Sequence, residues 1–402
     1  MSNGMLRNRY SVFAVMILVL SFFAPCIVSA QQKAAKEVKI EQLDKNMAAN
    51  AAKRAGMDWY TVDAKNFKLD GLHWRKTGEP FRRIPLNASV SKGVDHLAWN
   101  TAGVMLRFKT NAKEIRIDAK LHHIHRMYHM TPLGSMGFDL YQGSGTSKFY
   151  RKSASFSPNK NEYIATVFGP VKTEKIREFT LHFPLYAGVK SLEIGVTKGA
   201  KIELPTPWED DRPIVVYGTS IQQGGCASRP GMCHTNQLSR MLNRPFINLA
   251  FSGSGKGEPA MAKILADVKN PALYILDYDA NAGVAGLKRT LSNVIDIIRA
   301  KHPETPILLV SKLEYGYEFD ENNAYPEIRW QFQNIHMAEI RKRRDAGDKN
   351  IHFLDGTTLY GSDPSECTVD GIHATDLGFY MISKRMAPVI RRILSLEKLN
   401  GR

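Results

Sequence analysis

The sequence predicts an α/β protein in two parts. A doubly wound parallel sheet with helices on both faces spans residues 206–402, and an all-β sandwich or jelly roll precedes it over 69–205. Three observations carry this. Beyond the stiff stretch Pro205-Thr206-Pro207, five short apolar runs alternate with segments of helical period. Before it, short runs with period-two alternation follow one another without any long helical pattern. In the second part, polar clusters stand just past the expected strand ends, where open α/β sheets gather their ligands.

The first thirty residues belong to neither part. Arg7 and Arg9 give a basic start, 12–23 is apolar and uncharged, and Val28-Ser29-Ala30 supplies small residues for cleavage. This is a signal-peptide pattern, too short and wrongly flanked for a membrane span, and it predicts export to the periplasm or beyond with cleavage near Ala30. Pro25 precedes Cys26, where a lipid-anchored start wants a small residue. Residues 31–68 read as a polar linker with some helix, and no later stretch is long and apolar enough to cross a bilayer.

The formal charge of +16 becomes +14 without Arg7 and Arg9. A basic surface suits nucleic acid, anionic lipid or an acidic glycan; export argues against nucleic acid, and the basic residues are scattered apart from Arg341-Lys342-Arg343-Arg344 at an expected helix end. Cys226, Cys233 and Cys367 follow the leader. One disulfide and one free thiol is the simplest count for an exported chain, and all three pairings stay open.

In the first part the strand candidates are 104–108, 114–118, 163–167, 178–183 and 192–196. Gly137-Phe138-Asp139-Leu140-Tyr141 is a compact strand around one carboxylate, read as structural rather than as a substrate contact. His122, His123, His125 and His129 match no closed zinc spacing, so they are read as loop histidines or a polar rim near a ligand, with no metal expected.

In the second part the strands are 214–217, 246–249, 273–276, 307–310 and 351–354. Leu287, Leu291, Ile295 and Ile298 recur on one helical face, 326–344 is a second helix, and 377–396 is a third with Pro388 as a kink. Ser220 follows the first strand, the loop containing Gly253 the second, Asn281 the third, and Asp370-Gly371-Ile372-His373 the fifth. These types suit one chemistry. A serine hydroxyl becomes nucleophilic when a base takes its proton, which His373 can do while Asp370 holds the imidazole. The oxyanion then formed needs donors, and Ser220, Gly253 and Asn281 can supply them. His234 and His352 compete as the base, but the first opens a helix and the second lies within a strand. Arg229 either orients a polar substrate or braces the serine loop. Asp376 reads as the cap of the last helix.

With these blocks in that order, the chain resembles an SGNH/GDSL-type serine hydrolase. The likeness lies in Gly218-Thr219-Ser220, Gly253, Asn281 and Asp370-Gly371-Ile372-His373. Gly137-Phe138-Asp139-Leu140-Tyr141 resembles the signature of a β-rich domain that precedes one bacterial branch, as do the stretches 227–232 and 368–379, so the likeness covers about 69–396. Two positions depart from the pattern. Thr219 stands where the name-giving Asp usually does, and Asp279-Ala280-Asn281-Ala282 lacks the usual glycine and following Asp. The resemblance implies a cofactor-free carboxylic ester hydrolase, with an acetylated polysaccharide or oligosaccharide as the expected partner of a carbohydrate O-acetyl esterase. The rivals are a short-chain lipid esterase or lipase, for which no apolar lid stands near Ser220, and a glycan-binding protein that has lost activity.

Overall fold

The computed structural model describes residues 38–319 and 325–399. The expected signal peptide lies outside the described residues. Residues 38–48 form a small unit of their own, with a helix at Ile40–Leu43 and a turn at Lys45–Met47.

Two antiparallel sheets come first in the larger unit. Their strands are β1 (Met57–Thr61), β2 (Lys68–Asp70), β3 (Met105–Thr110), β4 (Ile115–Leu121), β5 (Asp139–Gln142), β6 (Phe149–Ser153), β7 (Glu162–Phe168), β8 (Arg177–His182), β9 (Val189–Thr197) and β10 (Ile202–Glu203). One sheet runs β1-β9-β4-β7, the other β10-β3-β8-β5-β6 with β2 beside β3. The alternating runs explain the layering. Ile115, Ile117 and Ala119 on β4, Ile194 and Val196 on β9, and Phe179 and Leu181 on β8 close a single apolar core between the sheets. Burying each of these side chains larger than alanine contributes roughly 1.5–3 kcal/mol.

The expected linker of 31–68 is corrected at its end by β1, which falls inside it yet pairs in the sheet with Met57 opposite Thr197, while β2 begins at its last residue with Lys68 opposite Arg107. Met-Asp-Trp-Tyr-Thr lacks an apolar alternation because β1 is half-buried along most of its length. Its place is set by a distant partner: the Trp59 ring fills the space over Gly195, and Arg54 stacks on Trp59 at 4.3 Å.

The second part is a parallel sheet of β11 (Ile214–Gly218), β12 (Phe246–Ala250), β13 (Leu273–Asp277), β14 (Ile307–Val310) and β15 (Ile351–Leu354), in the order β12-β11-β13-β14-β15. The near-continuous apolar runs suit strands covered on both faces. Val216, Ile275 and Leu308 point to one apolar layer, and Val215, Tyr274 and Leu309 to the other. Helices Asp279–Lys301, Tyr325–Asp345 and Asp376–Leu399 cover them, the last with Pro388 inside. Asp376 is the first residue of its helix rather than its cap. The Thr375 hydroxyl accepts the Gly378 N–H at 3.2 Å, freeing the Asp376 carboxylate to accept the Ser228 N–H at 2.9 Å.

The strand order reverses its direction of growth at β11. Connections leave β11 toward β12, then cross back to β13, so a crevice opens at the carboxyl end of β11. Ser220 stands there.

Candidate active site

Ser220 opens a single helical turn, Ser220–Gln223, directly after β11. The turn forms because Thr219 caps it: its hydroxyl accepts the Ile221 N–H, while Gln222 Oε1 accepts the Thr219 N–H at 2.9 Å. Gln222 then donates to the Asp277 carboxylate at 2.5 Å, tying the serine turn to the end of β13. Burial and the neighbouring Asp279 charge push the Asp277 carboxyl well above the usual carboxylate range. Thr219 therefore does structural work at a position that the resemblance marked as a departure.

Ser220 Oγ lies 2.9 Å from His373 Nε2, and His373 Nδ1 lies 2.8 Å from Asp370 Oδ2. The other carboxylate oxygen, Oδ1, accepts the Ile372 N–H at 3.0 Å and the His373 N–H at 2.7 Å. Burial opposes the Asp370 charge, but the His373 backbone N–H and ring, with the Ile372 N–H, outweigh it and hold the carboxyl below its usual range. A carboxylate fixed this way keeps the proton of the imidazole on Nδ1 and leaves the Nε2 lone pair toward the serine. The competing histidines stand elsewhere. His234 is buried at the start of a helix with its ring parallel to Phe379, and His352 is on β15.

The Gly253 loop is held by a buried polar network. Gln223 Oε1 accepts the Ser252 N–H at 2.9 Å, and Asn248 donates to Gln222 O at 2.7 Å. The fully buried Arg83 guanidinium donates to Asn248 O and Ala250 O, both at 2.9 Å, at the end of β12. Burial lowers its pKa to about 9. Gly253 adopts φ 66°, which favours glycine, and its N–H has no acceptor among the described residues; neither has that of Ser220. Asn281 Nδ2 donates to Phe251 O at 3.3 Å, which places its amide against the same loop. Asn281 sits in the first turn of Asp279–Lys301, ahead of a break in helical geometry at Gly283. Asp279 is fully buried and accepts from His336 at 2.9 Å and from the Lys312 N–H at 3.1 Å.

Arg229 is held by the β-rich part. Its Nη1 donates to Asp139 Oδ2 at 2.6 Å and to Tyr141 Oη at 2.7 Å, and its guanidinium lies 4.1 Å from the Tyr150 ring. Of the two readings left open for Arg229, the contacts are those of a loop brace. They also explain Gly137-Phe138-Asp139-Leu140-Tyr141. Period-two alternation sends Phe138 and Leu140 into the sandwich core and turns Asp139 and Tyr141 toward the serine loop. Asp139 takes the Gly231 N–H at 2.9 Å, and a Cβ on Gly231 would lie 2.6 Å from that carboxylate.

Two further contacts from the β-rich part reach the site. Tyr186 Oη donates to Ser220 O at 3.3 Å. His129 Nε2 lies 3.7 Å from Asp370 Oδ2, and its ring packs edge-on against His373 at 5.3 Å. His129 is thus drawn out of the four-histidine cluster by the tertiary fold. The expected disulfide is not formed, and all three cysteines are buried thiols. The reason is direction: the Cys233 sulfur faces Thr235 Oγ1, that of Cys367 faces Tyr360 O, and that of Cys226 faces His129 and His373.

Comparison with known proteins identifies the class. Residues 211–391 match the GDSL-like lipase/acylhydrolase family, and 57–202 match the N-terminus of SGNH-hydrolase-type esterases. A protein described as a GDSL-like lipase from Bacteroides ovatus ATCC 8483 is 30% identical, with a TM-score of 0.77 over 84% of this chain and 98% of that one. A salicylyl-acyltransferase from a tetracycline biosynthetic pathway has 18% identity and a TM-score of 0.67, over 84% of this chain and 98% of that one. A family two carbohydrate esterase from Cellvibrio japonicus has 12% identity and a TM-score of 0.54 over the same shares of the two chains. No curated protein matches the sequence. The chain belongs to the GDSL-like, or SGNH, hydrolase family, and within it to the branch with a Gly-x-Asp-Leu-Tyr N-terminal part. It is a carboxylic ester hydrolase of that type.

Proposed function

We propose that the protein is an exported carbohydrate O-acetyl esterase that works through an acyl-enzyme on Ser220. The observation that carries this is the continuous chain from Ser220 Oγ through His373 to Asp370, at 2.9 and 2.8 Å. His373 Nε2 takes the hydroxyl proton as Oγ bonds to the ester carbonyl carbon. The oxyanion is met by the N–H groups of Ser220 and Gly253 and by the Asn281 amide. As the C–O bond to the sugar breaks, His373 returns the proton to the leaving alcohol, and water then repeats the sequence to release acetate. Asp370 holds the ring and stabilises the imidazolium. Arg229 braces the serine loop rather than holding substrate.

Support for a sugar ester comes from the likeness of fold to a family two carbohydrate esterase. Among the described residues no helix is long and apolar enough to cross a membrane. The test is acetate release from a panel of acetylated polysaccharides and from an aryl acetate, with wild type against Ser220→Ala. Release that falls at least ~10⁴-fold in the variant is expected. Hydrolysis of the aryl ester alone would retain the nucleophile and remove the glycan. No release by a folded wild type would turn the reading to a glycan-binding protein.

A further inference from the structure

His129, Cys226 and His373 each present a ligand-type atom, and these three atoms lie within 4.8 Å of one another. They come from three separate places: the β-rich part, the serine loop, and the loop before the last helix. No spacing rule in the sequence joins them. His129 Nδ1 is buried without a hydrogen-bond partner. Cys226 is held at φ 76°, a conformation that non-glycine residues rarely take, and its sulfur likewise has no hydrogen-bond partner among the described residues. His129 and Cys226 therefore both stand within reach of the imidazole beside Ser220, each with an atom that no hydrogen bond engages among the described residues.

From this cluster we infer a binding site for a soft divalent cation, of which Zn²⁺ is the type, that inhibits the esterase when filled. Two imidazole nitrogens and a thiolate are donors that such an ion prefers over Mg²⁺ or Ca²⁺. Around a tetrahedral Zn²⁺ these donors stand about 3.3–3.6 Å apart. The cluster closes to that spacing by movements of about an ångström. A fourth position stays open for water or for Ser220 Oγ.

The surroundings suit the ion. His373 Nδ1–H is committed to Asp370 at 2.8 Å, so Nε2 is the nitrogen with a free lone pair. A carboxylate behind a ligating histidine is the usual support for a bound metal. The Asp370 charge and the Cys226 thiolate together balance the two charges of the ion, with the thiol proton passing to solvent on binding. Inhibition follows because His373 Nε2 can serve either the Ser220 hydroxyl or the cation, not both. The inference rests on the proposed roles of Ser220 and His373 for its inhibitory consequence, but not for the binding itself.

Two readouts test it on the full chain. In the first, aryl acetate hydrolysis is titrated with zinc chloride for wild type, Cys226→Ser and His129→Gln, each scaled to its own metal-free rate. The expected result is full inhibition of wild type, reversed by EDTA, with the midpoint raised at least 10- to 100-fold in both variants. In the second, Co²⁺ replaces zinc and the thiolate-to-cobalt absorption in the near ultraviolet is read. One equivalent should bind to wild type and to Ser220→Ala, with no band from Cys226→Ser. A midpoint unchanged in the two variants, or no thiolate band from wild type, overturns the site. A band without any esterase activity would keep the cation site and remove the proposed function instead.

Discussion

Replacing Asp139 tests how the β-rich part holds the serine loop. The carboxylate is fully buried and accepts three contacts, from Arg229 at 2.6 Å and from the Gly231 N–H at 3.0 and 2.9 Å. Burial pushes its carboxyl above the usual range, while the Arg229 and Arg240 charges and the Gly231 N–H pull it back. In Asp139→Ala, Arg229 loses its counter-charge with its side chain only 18% exposed, and Gly231 loses its acceptor. Breaking a buried pair costs about 3–5 kcal/mol, and an orphaned buried N–H adds about 1–3 kcal/mol. Arg229 still reaches Tyr141 Oη and the Tyr150 ring, which offsets part of that loss. The net expectation is a loss of about 4 kcal/mol. Asp139→Asn keeps an acceptor for Gly231 and should cost about 2 kcal/mol, the value of a charged hydrogen bond. The assay is urea unfolding followed by tryptophan fluorescence, with Arg229→Ala and the Asp139→Ala/Arg229→Ala pair completing a cycle. The double variant should lose less than the sum of the singles by about 2–3 kcal/mol. Singles that cost under ~1 kcal/mol at unchanged m, or that add to within ~0.5 kcal/mol, would refute the brace.

Three more expectations concern the site and its surroundings. Asp370→Asn should lower kcat about 10⁴-fold by leaving His373 free to take the wrong tautomer, measured on the aryl acetate; a loss under tenfold would remove Asp370 from the chain. Asn281→Ala should lower kcat about 10²–10³-fold with little change in KM, since its amide acts on the oxyanion rather than the ground state; an effect on KM alone would return it to a structural role. His234 gives a pH signature, because burial lowers its pKa from 6.5 to about 4. The unfolded chain takes up that proton below 6.5 while the folded protein refuses it, so stability is full above 6.5 and falls as pH drops toward 4. The loss is about 3 kcal/mol across that window. His234→Gln should flatten the fall by ~2–3 kcal/mol between pH 7 and 4.5 in urea unfolding; an unchanged slope would place the titrating group elsewhere.

The sequence by itself determined the layers and the class of hydrolase. Four of the five parallel strands were legible because each is a largely apolar run buried along its whole length, a pattern that needs no partner to be recognised, while β15 is buried only at Ile351 and part-exposed beyond it. Ser220, Asp370 and His373 stood out as candidates because their residue types and order suit the proposed reaction, and the fold brings the three side chains together. The half-buried β1 was not, since Trp59 packs over Gly195, more than a hundred residues away. Only the tertiary structure decided the roles that depend on direction. It turned Arg229 onto Asp139, gave Thr219 to the cap of the serine turn, released Asp376 to hold Ser228, and kept the three sulfurs apart. It also brought His129 to Asp370 and Tyr186 to Ser220 from the β-rich part. The physical reason is common to all of these. A residue's type fixes what it can bond, whereas its partner is fixed by how strands far apart in the chain register and pack.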